Sequence, residues 1–439
     1  MPKAASILHG IREQLADIRH LDQHMKHAVG WSFAYFFCVL CSYYIIRPLR
    51  DEMGVTVGPD GLERLFFIVF FVMLAAVPLF GWVTSRFPRT YIAPVVYAFF
   101  IANLAAFWLA LSAGPTTPLV ASAFFVWVSV FNLFVVSMFW IVMADIWTTA
   151  DAKRFYGMIA AGGSAGAFCG PLITQSLVKL LGPANLLIVS GLFLALALYC
   201  AMRLRHLISS NGTPGEDKPA GDGILDGAIR VFQSPYLFKI ALWVLIANLI
   251  STFFYFEQSR IVGATIADRA DRVQLFARMD LAVSVLTIVG QIFLTGALIR
   301  SIGTGWAVSA LPLSALVGLL ALALAPTLTV LVVVIVAERA IGFAITNPAA
   351  RVLYTVVEQE DKYRAQSFID TVVFRGGDAA SGWVFNSVAK SLGFATGLVA
   401  ALTIPFALLW VSLSFRLGRE QEQKADQAAA NVPSATSAR

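Results

Sequence analysis

Apolar stretches of roughly 20 residues, the length that carries a helix across a bilayer, recur along nearly the whole chain. They lie near residues 28–50, 63–83, 91–112, 119–145, 155–180, 183–203, 236–260, 273–299, 305–325, 328–350, 365–390 and 393–415. No soluble domain could bury so much apolar surface. The composition agrees: 58% of the residues are hydrophobic, 13% are charged and the mean hydropathy is +0.76, against about 25% charged in ordinary globular domains. "LLIVSGLFLALALYCAM" (Leu186 to Met202) is apolar on every face, whereas a barrel strand alternates. The chain therefore reads as an all-α integral membrane protein of about twelve transmembrane helices.

Lys and Arg concentrate in alternate connections: Lys3, Arg12, Arg19 and Lys26 before the first span, Arg86 and Arg89 after the second, Lys153 and Arg154 after the fourth, Arg203 and Arg205 after the sixth, Lys362 and Arg364 after the tenth, Arg416 and Arg419 after the last. The positive-inside rule puts these ends, and both termini, in the cytoplasm. The expected setting is the bacterial inner membrane. Arg269, Arg272 and Arg278, mixed with Asp268, Asp271 and Asp280, run against that bias and read as charges of the outer side.

The N-terminus shows no apolar core with a cleavage site, so no removable signal is expected. Ile7, Ile11, Leu15, Ile18, Leu21 and Met25 recur at spacings of three and four among basic residues, the pattern of a helix lying on the membrane surface. "SSNGTPGEDKPAGDG" (Ser209 to Gly223) is polar and rich in Gly and Pro, which marks a flexible linker. The expected organisation is an amphipathic cytoplasmic segment over 1–27, a six-helix bundle over 28–205, a cytoplasmic linker over 206–235, a second six-helix bundle over 236–416 and a disordered tail over 417–439.

The two bundles share a pattern. When "KRFYGMIAAGGSAGAFCGPLITQSLVKLLG" is set on "YRAQSFIDTVVFRGGDAASGWVFNSVAKSLG" by their final glycines, Gly182 and Gly393, Gly166 falls on Gly377, Ser176 on Ser387 and Lys179 on Lys390. A repeat in corresponding halves is the signature of transporters whose site lies between related bundles.

A charge at the bilayer centre costs about 2.5–3.5 kcal/mol on insertion scales, so each is a functional candidate. The first span ends in "SYYIIRPLRDEMG", with Arg47, Arg50, Asp51 and Glu52 around Pro48. Span four ends with Asp145, span seven holds Glu257 and Arg260, span ten Glu338, Arg339 and Arg351, and span eleven Asp370, Arg375 and Asp378; spans three, six, nine and twelve are clean inside. Two bundles around a polar cavity, with the clean helices toward lipid, would have this distribution. Arg47, Arg50, Asp51, Asp145, Glu257, Glu338 and Arg351 are the expected substrate-binding residues. Asp370, Arg375 and Asp378 are the expected coupling residues: Asp378 could carry a proton unless Arg375, three residues earlier, holds it in a structural pair. Glu338 and Arg339, being adjacent, point to different sides and are expected to meet different partners.

No catalytic centre is expected, because no acid, base and nucleophile converge at usable spacing. The five histidines (His9, His20, His24, His27, His206) lie outside the spans, and Cys38, Cys41, Cys169 and Cys200 read as small apolar residues within them, so neither a metal nor another cofactor is expected. The absence of a Walker-type loop excludes a self-contained ATP-driven pump.

The architecture resembles the major facilitator superfamily, in which helices one, four, seven and ten line the substrate path. "GWVTSRFPR" (Gly81 to Arg89) is similar to part of its loop signature, with Ser85 where an Asp is usual. Within that fold, "YYIIRPLRDEMGV", "FWIVMADIWTTADAKRFYG" (Phe139 to Gly157) and "NPAARVLYTVVEQEDKYRAQSFIDTVV" (Asn347 to Val373) resemble segments of the ATP/ADP antiporters of plastids and obligate intracellular bacteria. In that family the first-helix Arg is followed three residues later by Lys-Asp; here Arg47 is followed by Arg50 and Asp51. Two charges differ in sign: Arg351 stands where the family's Glu is expected and Asp378 where its Lys is expected, which leaves open whether the two are swapped across a gap.

The expectation is a secondary transporter that moves a small anionic solute, a nucleotide or phosphorylated metabolite among the candidates, by alternating access. The competing expectations are a proton-coupled carrier of a peptide, cell-wall fragment or drug, and a transport-inactive membrane sensor. The implied partners are the solute, protons at the coupling residues and lipid, with no nucleic acid. A monomer is expected.

Overall fold

The structure, a computed structural model, describes residues 23–86, 89–208, 224–391, 393 and 396–430, and these form helices and short connections with no strand among them. Most of the expected surface segment, the linker core 209–223 and the end 431–439 lie outside the described residues. Ten helices are long and apolar enough to cross a membrane. The first of them, Gln23–Arg86, is two spans meeting at a break at Gly58. A further segment, 359–391, is too polar to satisfy a hydropathy criterion but has the length of a span, so the described chain contains twelve.

In order, span one is 23–57, two 59–86, three Arg89–Ser112, four Pro118–Ile146, five Thr149–Leu181, six Leu186–Ile208, seven Pro235–Thr265, eight 269–302, nine 304–324, ten 328–356, eleven 359–391 and twelve Thr396–Ala430. Alternation brings residue 23, the 208–224 connection and the last helix to one end of the bundle, called here the linker end. Gly58, Gly182 and the 265–269 turn lie at the opposite, far end.

The first half packs about its first span. Gly162, Gly166 and Gly170 of span five follow one another at four-residue intervals, and a Cβ on any of them would run into the backbone or Cβ of span one at Phe33, Phe37 or Tyr44. Small residues at this spacing let membrane helices meet backbone to backbone. Gly377, the counterpart of Gly166, lies against the side chain of Asn248 of span seven, the first span of the second half. Gly182 and Gly393 both adopt positive φ just past spans five and eleven (81° and 64°), a conformation that side chains disfavour. The repeat is thus expressed in packing and in helix termination.

The first half is filled by aromatic rings. Phe36 stacks on Phe139 at 4.1 Å, Phe100 meets Phe131 edge-on, and the Tyr35 and Tyr97 hydroxyls bond to each other. The second half is less regular. Spans eight, ten and eleven each contain a five-residue wide, π-helical turn, at Gln291–Thr295, Gly342–Thr346 and Ile369–Val373. Such turns leave backbone groups misaligned and are common at functional sites. Here Gln291 donates to the Phe343 carbonyl (3.3 Å) and Asn248 to the Phe374 carbonyl (2.8 Å). As expected for lipid-facing helices, spans three, six, nine and twelve expose large apolar side chains such as Phe99, Leu192, Val317 and Leu409.

Two boundaries differ from the sequence reading. The linker is helical over Ile224–Gln233, where Val231 is buried and Arg230 pairs with Asp361 at 3.0 Å. The expected disordered tail from 417 is helical through Ala430. Leu413, Leu417 and Gln421, one turn apart, keep one face of it buried. Lys239 binds Glu420 at 2.6 Å, and Glu422 accepts the Thr304 amide at the start of span nine (3.0 Å).

Candidate functional site

A cavity of about 440 Å³ lies in the second half, lined from Glu338, Arg339 and Asp378 at mid-depth to Ile240 and Tyr354 near the linker end. Arg351 and Asp370 also line it and pair at 3.3 Å, with side chains 64% and 53% exposed. Arg375 faces Asp378 at 3.8 Å, one turn along span eleven. Arg351 and Asp378 therefore share the cavity, but each has its own partner and they do not pair with each other. The wide turn at 369–373 turns Asp370 toward Arg351 while Asp378, after it, faces Arg375.

Behind the cavity wall three spans bring charges to one depth. Arg47 precedes the break at Gly58 by 11 residues, Asp280 follows Arg269 by 11 and Arg339 follows Leu328 by 11, so each lies roughly 16 Å from the far end at 1.5 Å per residue. One oxygen of Asp280 receives both guanidiniums, Arg339 at 2.7 Å and Arg47 at 3.5 Å. Asp280 is 1% exposed and each arginine 18%. Its other oxygen, Oδ2, is buried without a hydrogen-bond partner among the described residues. Arg47 belongs to the first half, Asp280 and Arg339 to the second.

Arg50 differs from the other arginines. Its guanidinium lies over the Phe125 ring at 4.3 Å and its Nε is buried without a partner. No carboxylate of a described residue stands within ion-pair distance of it, although it is close enough for its charge to act on Asp51, Asp378 and Arg375. Asp51, beside it, accepts the Tyr255 hydroxyl of span seven at 3.0 Å. Glu338 is 8% exposed, lines the cavity and takes part in no hydrogen bond or ion pair among the described residues. The expectation that Glu338 and Arg339 diverge is met, with Arg339 on Asp280.

Of the expected site residues, Arg47, Arg50, Asp51 and Arg375 do not line the cavity themselves, and Asp145 and Glu257 have their partners elsewhere. Asp145 stands at the linker end of span four, 3.9 Å from Arg205 of the same half. Glu257, fully buried, binds Arg260 at 2.7 Å and accepts the Thr396 hydroxyl at 2.8 Å, tying span seven to span twelve.

Sequence reasoning missed Asp280 and the role of Glu52. It read Asp280 with the outer-side charges because they share one polar stretch; counting turns from Arg269 would have put it at mid-membrane. Glu52, fully buried, is gripped by Arg269 through two bonds of 3.0 and 2.9 Å, approached by Arg272 at 3.9 Å and bonded by Thr56 at 2.7 Å. Arg269 also reaches Thr116. With Lys179 on Asp271 (2.7 Å), Ser259 on the Gly54 carbonyl (3.3 Å) and Asn386 on Asp60 (3.2 Å), these bonds join the two halves at the far end.

What such an arrangement can do is move a solute: a cavity in the second half with charged side chains on its wall, a far end where bonds join the two halves, and no cluster of residues suited to a metal ion among those described. Known proteins agree. The chain is 24% identical to ADP,ATP carrier protein 2 of Chlamydia pneumoniae over 91% of this chain and 90% of that protein. Its fold superposes on the nucleoside transporter NupG with a TM-score of 0.62 at 14% identity, covering 92% of this chain and 100% of the other. An auto-inhibited peptide transporter of the POT family gives the same TM-score and identity, with 91% and 97% covered. Residues 29–380 match the Major Facilitator Superfamily. This multi-pass membrane transporter belongs to the Major Facilitator Superfamily.

Proposed function

We propose that the protein is a secondary transporter of a small anionic solute, a nucleotide or phosphorylated metabolite, working by alternating access with both termini in the cytoplasm. The observation that carries this reading is Arg50: a guanidinium some eight residues, about 12 Å, inside the far end, resting on an aromatic ring with no carboxylate of a described residue within ion-pair distance. A cation kept unpaired at that depth is costly, and a ligand anion meets its need. Arginine's planar fork suits phosphate or carboxylate, and Arg47, Arg339 and Arg351 supply further donors around the cavity. The ADP,ATP carrier likeness supports a nucleotide; the reversed charges at Arg351 and Asp378 argue for testing other phosphates beside it. The bonded far end and the exposure of Arg351 and Asp370 toward the linker end support this reading, in which the linker end is the cytoplasmic, open side.

A second reading, proton-coupled movement of a non-nucleotide solute, draws on Glu338, a buried cavity carboxylate with no ion partner, since such a group inside a membrane is suited to proton relay.

Proteoliposomes loaded with unlabelled ADP, assayed for labelled ATP uptake with and without a proton gradient, separate the two. Uptake that requires internal nucleotide and falls at least tenfold in Arg50→Gln is the expected result. Wild-type rates from Arg50→Gln would remove the basis of the anion reading. Uptake of a panel of peptides driven by the gradient alone, and lost in Glu338→Gln, would favour the second.

A further inference from the structure

Three features bear on the Arg47, Asp280 and Arg339 group beyond the charges themselves. The two guanidiniums come from opposite halves and converge on a single carboxylate oxygen. The carboxylate is almost wholly buried, yet among the described residues Oδ2 has no partner. The arginines, unlike Asp280, keep part of their surface open, and Arg339 reaches the cavity wall. A purely structural buried ion pair gains by satisfying every polar atom, since its desolvation cost is repaid only when geometry and remaining hydrogen bonds are good. This group does not satisfy that condition. It has the form of a seat for an oxyanion with two guanidinium forks and room on their outer sides.

We propose that Arg47 and Arg339 form the anion seat of the transport cycle and that Asp280 is its resident occupant in the empty protein, an internal carboxylate which the phosphate or carboxylate group of the solute displaces. The inference rests on the anionic-solute reading and deepens it. Because the seat takes one donor from each half, whichever anion occupies it bridges the halves at mid-membrane. The occupied site then carries the same contacts whether the bridging oxygen belongs to Asp280 or to the solute. Asp280 thereby sets affinity: the solute must outcompete a carboxylate held at very high effective concentration, and the seat is selective for groups able to receive two forks at once.

The test uses purified full-length protein in detergent and inorganic phosphate as probe, read by thermal stabilisation across a phosphate titration with matched chloride as control. Asp280→Asn keeps the shape of the side chain and removes the competing charge, and is expected to bind phosphate at least tenfold more tightly than wild type. Asp280→Ser, checked for a single monodisperse species, is the second variant, with the same expectation. Unchanged or weaker phosphate binding in either folded variant would overturn the proposal and leave Asp280 a structural tie. If neither variant yields folded protein, Arg339→Gln decides: one fork is removed while Arg47 still neutralises Asp280, phosphate stabilisation should vanish, and its persistence at wild-type strength would overturn the proposal. Since the readout is phosphate binding and not nucleotide uptake, a failure here is distinguishable from a failure of the nucleotide reading, which leaves phosphate binding intact but transport of ATP absent.

Discussion

The two ends of the bundle are held by opposite kinds of contact. At the far end the bonds cross between halves and several are buried: Glu52 is wholly enclosed by Arg269, Arg272 and Thr56, and Asp51 takes the Tyr255 hydroxyl. At the linker end the ion pairs described stay within a half, Asp145 with Arg205, Lys239 with Glu420 and Arg351 with Asp370, and the last is mostly exposed. A charge pair shielded from water resists separation far better than one bathed in it. The far end is therefore the more firmly held of the two, and separating the halves there breaks buried ion pairs.

The contrast predicts a ranked series. Arg269→Ala strands Glu52 in a buried site with little compensation and should cost about 3 kcal/mol, seen as a lower thermal midpoint together with faster labelling of a cysteine placed at Gly54. A midpoint equal to wild type would mean the clamp holds nothing. Tyr255→Phe removes one donor from a buried carboxylate and should cost about 1–2 kcal/mol, with labelling at Gly54 raised to a lesser degree. Lys179→Ala sits at the far end too, but its pair with Asp271 is about half exposed; a change below about 1 kcal/mol is expected. A loss as large as that of Arg269→Ala would show that position, not burial, sets strength. Arg351→Gln, in the most exposed pair, should leave stability within about 1 kcal/mol and alter only uptake, measured as initial rate in vesicles.

Much of the fold was legible in the sequence because bilayer thickness and the cost of buried charge act on every residue alike. They expose twelve spans, the clean lipid-facing helices and the matched glycines 166 and 377. The site was legible in part. Arg47, Arg50, Glu338, Asp370 and Asp378 stood out as charges within spans, and the structure brings Glu338, Arg351, Asp370 and Asp378 to one cavity with Arg47 and Arg50 close by. Partner choice was not legible: Arg339 meets Asp280 of span eight across 59 positions and Glu52 meets Arg269 across 217, distances over which no local spacing rule operates. A charge inside a span marks a need for a partner, which Asp145 finds in Arg205 of span six and Glu257 in Arg260 of its own span and Thr396 of span twelve, away from the cavity.

The length of span twelve, which runs helical to Ala430, has a consequence for biosynthesis. Glu422 caps an amide made 118 residues earlier, and Glu420 binds Lys239, made 181 residues earlier, at the start of the second half. A chain emerging from the ribosome in order has its first half ready to pack long before this point, yet the second half cannot close these polar contacts until residues 420–422 have been made. Premature termination near residue 417 would yield a protein with every span inserted and its second bundle left unlatched.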